Sequence, residues 1–168
     1  MMGEHMRDIL LDKWFPHLDL PQQELVELAI QLYERELISE VPLTDYSFVV
    51  FPMAKAYEGF LKQYLYDLKL ISQTTFESRR FRIGRALNPD VRENQRDDFW
   101  LYDDIEHICN KELAGSLWDT WLNCRNRIFH YFPKDNSVVT LPEAEKDLRL
   151  IATTMDEAVR CQIHQLEL

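Results

Sequence analysis

Residues 114–130 read Ala-Gly-Ser-Leu-Trp-Asp-Thr-Trp-Leu-Asn-Cys-Arg-Asn-Arg-Ile-Phe-His, an apolar helical repeat that ends in charged and polar side chains. Apolar residues recur at three- and four-residue spacing through Leu117, Trp121 and Ile128, which predicts a helix with one face toward the core. Arg125 follows Trp121 by four positions and therefore falls on the same face. Because an unpaired buried charge is costly, this guanidinium needs either an acid from a neighbouring helix or an anionic ligand.

The same periodicity extends over most of the 168 residues and predicts an all-α fold, with only four glycines to interrupt it. We expect a single domain, built as an up-and-down bundle of about four long helices plus short ones, with residues 1–16 as a peripheral N-terminal segment. The predicted helices cover 20–38, a long segment starting at Thr44 or Asp45 with a kink or later start at Pro52, 76–87, 99–111, the motif helix up to about 131, and 141–164.

Composition and charge exclude several classes of protein. No apolar run approaches the roughly 20 residues of a membrane span, and no secretory signal is visible. We therefore expect a cytoplasmic protein without a membrane partner. Cys109, Cys124 and Cys161 lack metal-ligand spacing and are interpreted as reduced thiols, so no metal and no cofactor is expected. The formal net charge of −10 argues against whole-surface affinity for nucleic acid.

One segment is nevertheless strongly basic. Residues 78–85 hold four arginines in eight positions, interleaved with an aromatic and an aliphatic residue. These arginines are Arg79, Arg80, Arg82 and Arg85. The segment predicts a local contact with RNA or phosphate, whereas the alternatives are a solvated helix face or a contact with an acidic protein surface in a dimer.

The polar end of the motif helix resembles a family signature. Arg125-Asn126, three further residues and His130 resemble the Arg, four to six residues, His signature of HEPN-superfamily ribonucleases. A second segment, Phe51–Lys62, resembles a helix of RNase LS-type toxins that carries a basic residue and a Glu three positions apart. Lys55 and Glu58 match that pair, with Lys at a position where Arg is expected. The resemblance covers roughly residues 45–165.

The resemblance implies a HEPN-like fold and a metal-independent endoribonuclease, the toxin of a toxin–antitoxin or phage-defence pair. It further implies an RNA substrate, a homodimer and a cognate antitoxin protein as partners. The implied catalytic residues are Arg125, His130, Asn126, Glu58 and Lys55. The residues expected to bind RNA are the arginines of the basic segment, Arg79, Arg80, Arg82 and Arg85, together with Arg127.

Elementary chemistry is consistent with these roles. RNA carries its own nucleophile, the 2′-hydroxyl, so cleavage to 2′,3′-cyclic phosphate and 5′-hydroxyl ends needs proton transfer and charge stabilisation but no metal. Imidazole suits proton transfer at neutral pH, and guanidinium suits a phosphoryl group. On a regular helix, however, Arg125 and His130 differ by about 140° in direction. We expect either a shared cleft between two protomers or a distorted last helical turn.

Two alternatives stay open. One is a non-catalytic helical dimer that binds a protein or a nucleotide through the same cleft. The other is a HEPN toxin controlled by a partner nucleotidyltransferase, in which case Tyr131, next to His130, is a candidate acceptor of the modification.

Overall fold

The architecture is built from α-helices joined by turns and loops, and the computed structural model describes residues 5–130, 133 and 138–166. The α-helices are α1 (Leu20–Leu37), α2 (Ser47–Asp67), α3 (Gln73–Glu77), α4 (Ile83–Ala86), α5 (Tyr102–Ile108), α6 (Lys111–Trp121) and α7 (Leu141–Leu166). Short 3-10 turns cover Met6–Leu11, Phe15–His17 and Glu93–Gln95. No strand occurs in these described ranges, so the predicted all-α fold class is confirmed.

Two helix starts lie where the capping residues predict them. The Asp19 side chain accepts a hydrogen bond from the backbone N–H of Gln22 at 2.8 Å, and Gln22 returns one to Asp19, so α1 begins with a capping box. At the start of α7, the carboxylate of Glu143 accepts from the backbone N–H of Thr140 at 2.8 Å. Each box satisfies backbone groups that a helix terminus leaves without a partner.

Helix α2 lies at the centre of the packing and contacts both α1 and α7. It begins at Ser47, slightly later than predicted, and Pro52 remains buried inside it. Much of one side of the helix is fully buried, including Tyr57, whose hydroxyl donates to the backbone carbonyl of Leu117 in α6 at 3.0 Å. This bond joins the two segments that carry the candidate site residues.

Two predicted helices are interrupted. The segment 76–87 forms α3 and α4 separated by a turn, in which the Ser78 hydroxyl accepts from the backbone N–H of Arg80. The predicted helix 99–111 shrinks to α5, because Asn110 instead caps α6 by accepting from the backbone N–H of Leu113 at 2.7 Å. Ser and Asn side chains compete for backbone partners in this way and favour turns and caps over helix interiors.

Residues near the N-terminus contribute to the core. Met6, Ile9 and Trp14 are buried, and Trp14 is fully so. Arg7 makes a two-pronged contact with Glu34 of α1 at 2.9 and 2.7 Å. The segment predicted to be peripheral is therefore packed against the bundle at these positions.

In the structure, two of the three cysteines that were expected to be reduced thiols are paired. Cys109, at the end of α5, and Cys161, in α7, form a disulfide across a Cα separation of 5.9 Å. Their 52-residue separation in sequence gave no local signal for this pairing. Cys124 is free and buried. No helix in the described chain has the length and apolarity needed to cross a membrane.

Candidate functional site

An open cavity of about 580 Å³ lies between α2 and the segment that follows α6. It is lined by Phe51, Ala54, Lys55, Glu58, Gly59, Lys62, Arg125, Phe129 and His130. Four of the five residues interpreted as catalytic are in this set: Lys55, Glu58, Arg125 and His130. They come from two segments about 70 positions apart, so the fold brings together what the sequence presents separately.

Helix α2 supplies three of the charged side chains. Lys55, Glu58 and Lys62 follow one another at spacings of three and four residues, which places them on one helix face. The opposite side of α2 is buried against the core. The orientation of these three residues toward the cavity therefore follows from the same amphipathic pattern that folds the bundle.

The chain leaves the regular α-helix around Arg125 and His130, and both residues line the same cavity. The regular α-helix ends at Trp121, and Leu122–Asn126 adopt the wider π form, in which the backbone N–H of Arg127 donates to the carbonyl of Leu122 at 3.0 Å. The separation of about 140° holds for a regular α-helix and does not hold here. One chain therefore lines the cavity with both residues.

The guanidinium of Arg125 is held by one ion pair and two aromatic rings. Its Nε donates to Oε2 of Glu58 at 2.9 Å, and its Cζ lies 5.4 Å from the Trp121 ring centroid and 5.7 Å from that of Phe129. Phe129 in turn packs edge-on against Phe51 at 4.7 Å. Among the described residues, Glu58 engages only the Nε of Arg125, so its two terminal nitrogens can contact a ligand.

The charge balance of the cavity favours an anion. Lys55, Lys62 and Arg125 supply three positive charges against the single carboxylate of Glu58, before His130 is counted. Within the described residues neither lysine forms an ion pair, so Lys55 does not pair with Glu58 one turn away on the same helix. This local excess of positive charge contrasts with the formal charge of −10 on the whole chain. This local positive charge is complementary to a phosphate group.

Two further motif residues lie outside this cavity. Asn126 is half-buried in the π turn and is absent from the residues that line the cavity. Arg127 donates to Oδ1 of Asn123 at 2.8 Å and lines a separate depression, which also includes Lys146 and Asp147. Neither side chain therefore lines the cavity that contains Arg125 and His130.

The arginines of the basic segment divide into two groups. Arg80, Arg82 and Arg85 line a second cavity of about 310 Å³. Arg79 is exposed and does not line it. Arg85 donates to the Asp97 carboxylate at 2.7 Å and to the Gln95 carbonyl at 3.0 Å, so it also holds the loop before α5 in place.

The buried Cys124 and the half-buried Asp147 lie close to the motif. The Cys124 thiol is fully buried, and burial raises its pKa well above the usual range. The nearby Asp147 side chain of α7 raises this pKa further. Burial raises the pKa of Asp147 to about 6, against the lowering effects of the nearby Cys124 and Lys146 side chains. Neither residue lines the main cavity.

Sequence reasoning missed Lys62 and the aromatic pair Phe51 and Phe129. Lys62 lies four positions after Glu58, so the helical repeat that selected Lys55 and Glu58 extends to it. Tyr131, the candidate acceptor of a modification, lies outside the described residues. The described chain contains no cluster of His, Cys, Asp and Glu suited to a metal ion.

Comparison of the chain with family models, with curated proteins and with solved structures finds no match.

Proposed function

We propose that the chain is a metal-independent endoribonuclease that uses the Arg125–His130 cavity. The observation that carries the proposal is that Lys55, Glu58, Arg125 and His130, from two distant segments, line one open cavity within a single chain. The cavity joins an imidazole to an excess of positive charge. RNA transesterification needs this combination, because it moves protons and develops negative charge on a phosphoryl group.

In the proposed reaction the 2′-hydroxyl oxygen of RNA attacks the adjacent phosphorus. As this P–O bond forms, the bond to the 5′ oxygen of the next nucleotide breaks. One proton leaves the 2′-hydroxyl, and one is taken up by the departing 5′ oxygen. The products are a 2′,3′-cyclic phosphate and a 5′-hydroxyl.

Each residue of the cavity is assigned a role in this reaction from the chemistry of its side chain. His130 is assigned proton transfer, since imidazole both accepts and donates protons near neutral pH. Arg125 is assigned the phosphoryl oxygens, which its terminal nitrogens can bind in a planar fork. Lys55 and Lys62 add positive charge. Glu58 is assigned a positioning role, because its Oε2 accepts the Nε–H of Arg125.

The wider context of the proposal rests on resemblance. The arrangement of long helices α1, α2, α6 and α7 is compatible with an up-and-down HEPN-like bundle. A toxin role, a cognate antitoxin and a homodimer belong to the same proposal. The dimer is no longer needed to bring Arg125 and His130 together, because one chain does so.

A cytoplasmic location is also part of the proposal, and the disulfide bears on it. Disulfides persist in oxidising compartments and are rare in the cytosol, where thiols are kept reduced. A cytoplasmic chain would therefore hold Cys109 and Cys161 as thiols in the cell, and α5 and α7 would lose a covalent link.

The proposal is tested by incubating the purified chain with structured RNA in EDTA. We expect cleavage by the native chain and none by His130→Ala or Arg125→Ala, with unchanged circular dichroism. Arg125→Lys should restore only part of the activity, because an ammonium lacks the planar fork. RNA bound without cleavage would favour the non-catalytic binding module. Native activity in the folded variants would show that His130 and Arg125 do not take part in the reaction.

A further inference from the structure

The second cavity, formed by the basic segment and the loop before α5, has the composition of a nucleotide-binding site. It is lined by Thr74, Thr75, Ser78, Arg80, Phe81, Arg82, Arg85, Asp97 and Phe99. Its three arginines are accompanied by one carboxylate, that of Asp97. Asp97 already forms an ion pair with Arg85, with 2.7 Å between Nη2 and Oδ2. The remaining positive charge comes from Arg80 and Arg82, neither of which forms an ion pair within the described residues.

Two phenylalanines form the apolar part of this cavity. Phe81 is buried, whereas Phe99 is 49% exposed, and their rings meet edge-on at 6.3 Å. An aromatic ring that is packed at its edge and half open to solvent offers a face on which a base can stack. Burying an exposed Phe in this way also removes apolar surface from water.

The loop before α5 is fixed by several contacts. Arg85 binds both Asp97 and the carbonyl of Gln95, while the other oxygen of Asp97 accepts the backbone N–H of Phe99 at 3.2 Å. The position of the Phe99 backbone therefore depends on Arg85. Arg85 therefore stabilises the wall of the cavity, whereas Arg80 and Arg82 are available to contact the ligand.

A chain of contacts connects this cavity to the main one. Gly84, in the short helix that carries Arg85, lies directly against the ring of Trp121. The same ring lies 5.4 Å from the guanidinium carbon of Arg125. Trp121 therefore contacts both the short helix that carries Arg85 and the guanidinium of Arg125.

We propose that this second cavity binds one nucleotide of a single-stranded RNA whose scissile phosphate lies in the Arg125–His130 cavity. The base stacks on Phe99, and Arg80 and Arg82 contact the backbone phosphates. A single-stranded ligand is favoured over a duplex because bases in a duplex are already stacked and do not present a free face. The proposal rests on the proposed function, and it specifies which form of RNA the protein engages.

Binding is measured by fluorescence anisotropy with a labelled single-stranded 2′-O-methyl RNA of roughly 12 nucleotides, a length comparable to single-strand binding sites. This probe cannot be cleaved through a 2′-hydroxyl. Arg80→Gln with Arg82→Gln should weaken binding about tenfold or more and reduce the slope of log K against log salt by about 1.4, from 0.7 for each lost phosphate contact. Phe99→Ala should weaken binding roughly fivefold or more.

The matched control is Arg7→Gln with Arg160→Gln, which removes the same charge from surface pairs with Glu34 and Asp156. It should change affinity less than threefold. An equal loss in the control, or native affinity in the cavity variants, would overturn the proposal, as would equally tight binding of duplex RNA. If Phe99→Ala weakens RNA binding but the native chain cleaves no RNA, only the ribonuclease function is refuted. If the native chain cleaves RNA but the cavity variants bind it with native affinity, only this second site is refuted.

Discussion

Nε of Arg125 and Oε2 of Glu58 lie 2.9 Å apart, which joins the π turn after α6 to the middle of α2. The two side chains are each 33% exposed. An ion pair at this degree of exposure contributes about 0–1 kcal/mol to folding. Its main consequence is therefore geometric: it fixes Nε and directs the terminal nitrogens of Arg125.

Replacing Glu58 by Gln should lower activity without unfolding the chain. The amide is a weaker acceptor for Arg125, so we expect kcat to fall about tenfold or more, with a smaller change in KM and a stability loss of at most about 1 kcal/mol. Steady-state cleavage and urea unfolding measure both effects. Asp156→Asn, which removes a surface partner of Arg160, is the control and should leave kcat unchanged. Native kcat in Glu58→Gln would contradict the positioning role.

Two glycines allow a matched test of packing near the site. A Cβ on Gly84 would overlap the Trp121 ring, whereas one on Gly115 would meet only the Tyr102 hydroxyl at 3.8 Å. We expect Gly84→Ala to destabilise the fold by about 1–3 kcal/mol through overpacking and to disturb Arg125 through Trp121. Gly115→Ala should instead stabilise α6 by about 0.5–1 kcal/mol. Thermal unfolding and cleavage rates of the two variants measure these effects. Equal effects of the two substitutions would contradict the close contact between Gly84 and Trp121.

The Asp147 carboxyl should make stability depend on pH. Burial raises its pKa to about 6 in the folded chain, against an ordinary value of 3.8. Between these values the folded state binds more protons than the unfolded state, so this group lowers the free energy of unfolding as pH rises from about 4 to 6. Asp147→Asn should therefore stabilise the chain more at pH 7.5 than at pH 4. Urea unfolding at both pH values measures the difference, and the opposite sign would contradict the burial of this group.

Much of this arrangement followed from the sequence, and the exceptions have identifiable physical causes. The starts of α1 and α7 were predictable because capping is a local interaction of Asp19 and Thr140. A distorted last helical turn was one of two expected solutions for Arg125 and His130, but its π form was not predicted, because periodicity assumes a regular helix. The pairing of Cys109 with Cys161 depends on the docking of α5 against α7 and leaves no local pattern. Lys62 could have been identified by extending the charged face of α2 by one more turn.

Mixing two inactive variants distinguishes a site within one chain from a shared site. Because one chain lines the cavity with both Arg125 and His130, equimolar Arg125→Ala and His130→Ala should remain inactive together. If the two residues acted across a dimer interface, random exchange would regenerate about a quarter of the native sites. Cleavage assays after subunit exchange, with light scattering to report the oligomeric state, make the comparison. Recovery of activity would contradict the single-chain site.

The most direct test of the central claim is the chemistry of the RNA ends produced in EDTA. If Arg125 and His130 promote attack by the 2′-hydroxyl, mass spectrometry of the fragments should find 2′,3′-cyclic phosphate and 5′-hydroxyl ends. A substrate of the same sequence with 2′-O-methyl riboses should stay intact, because it lacks the nucleophile. Cleavage that requires a divalent metal, or fragments with 5′-phosphate ends, would contradict the account.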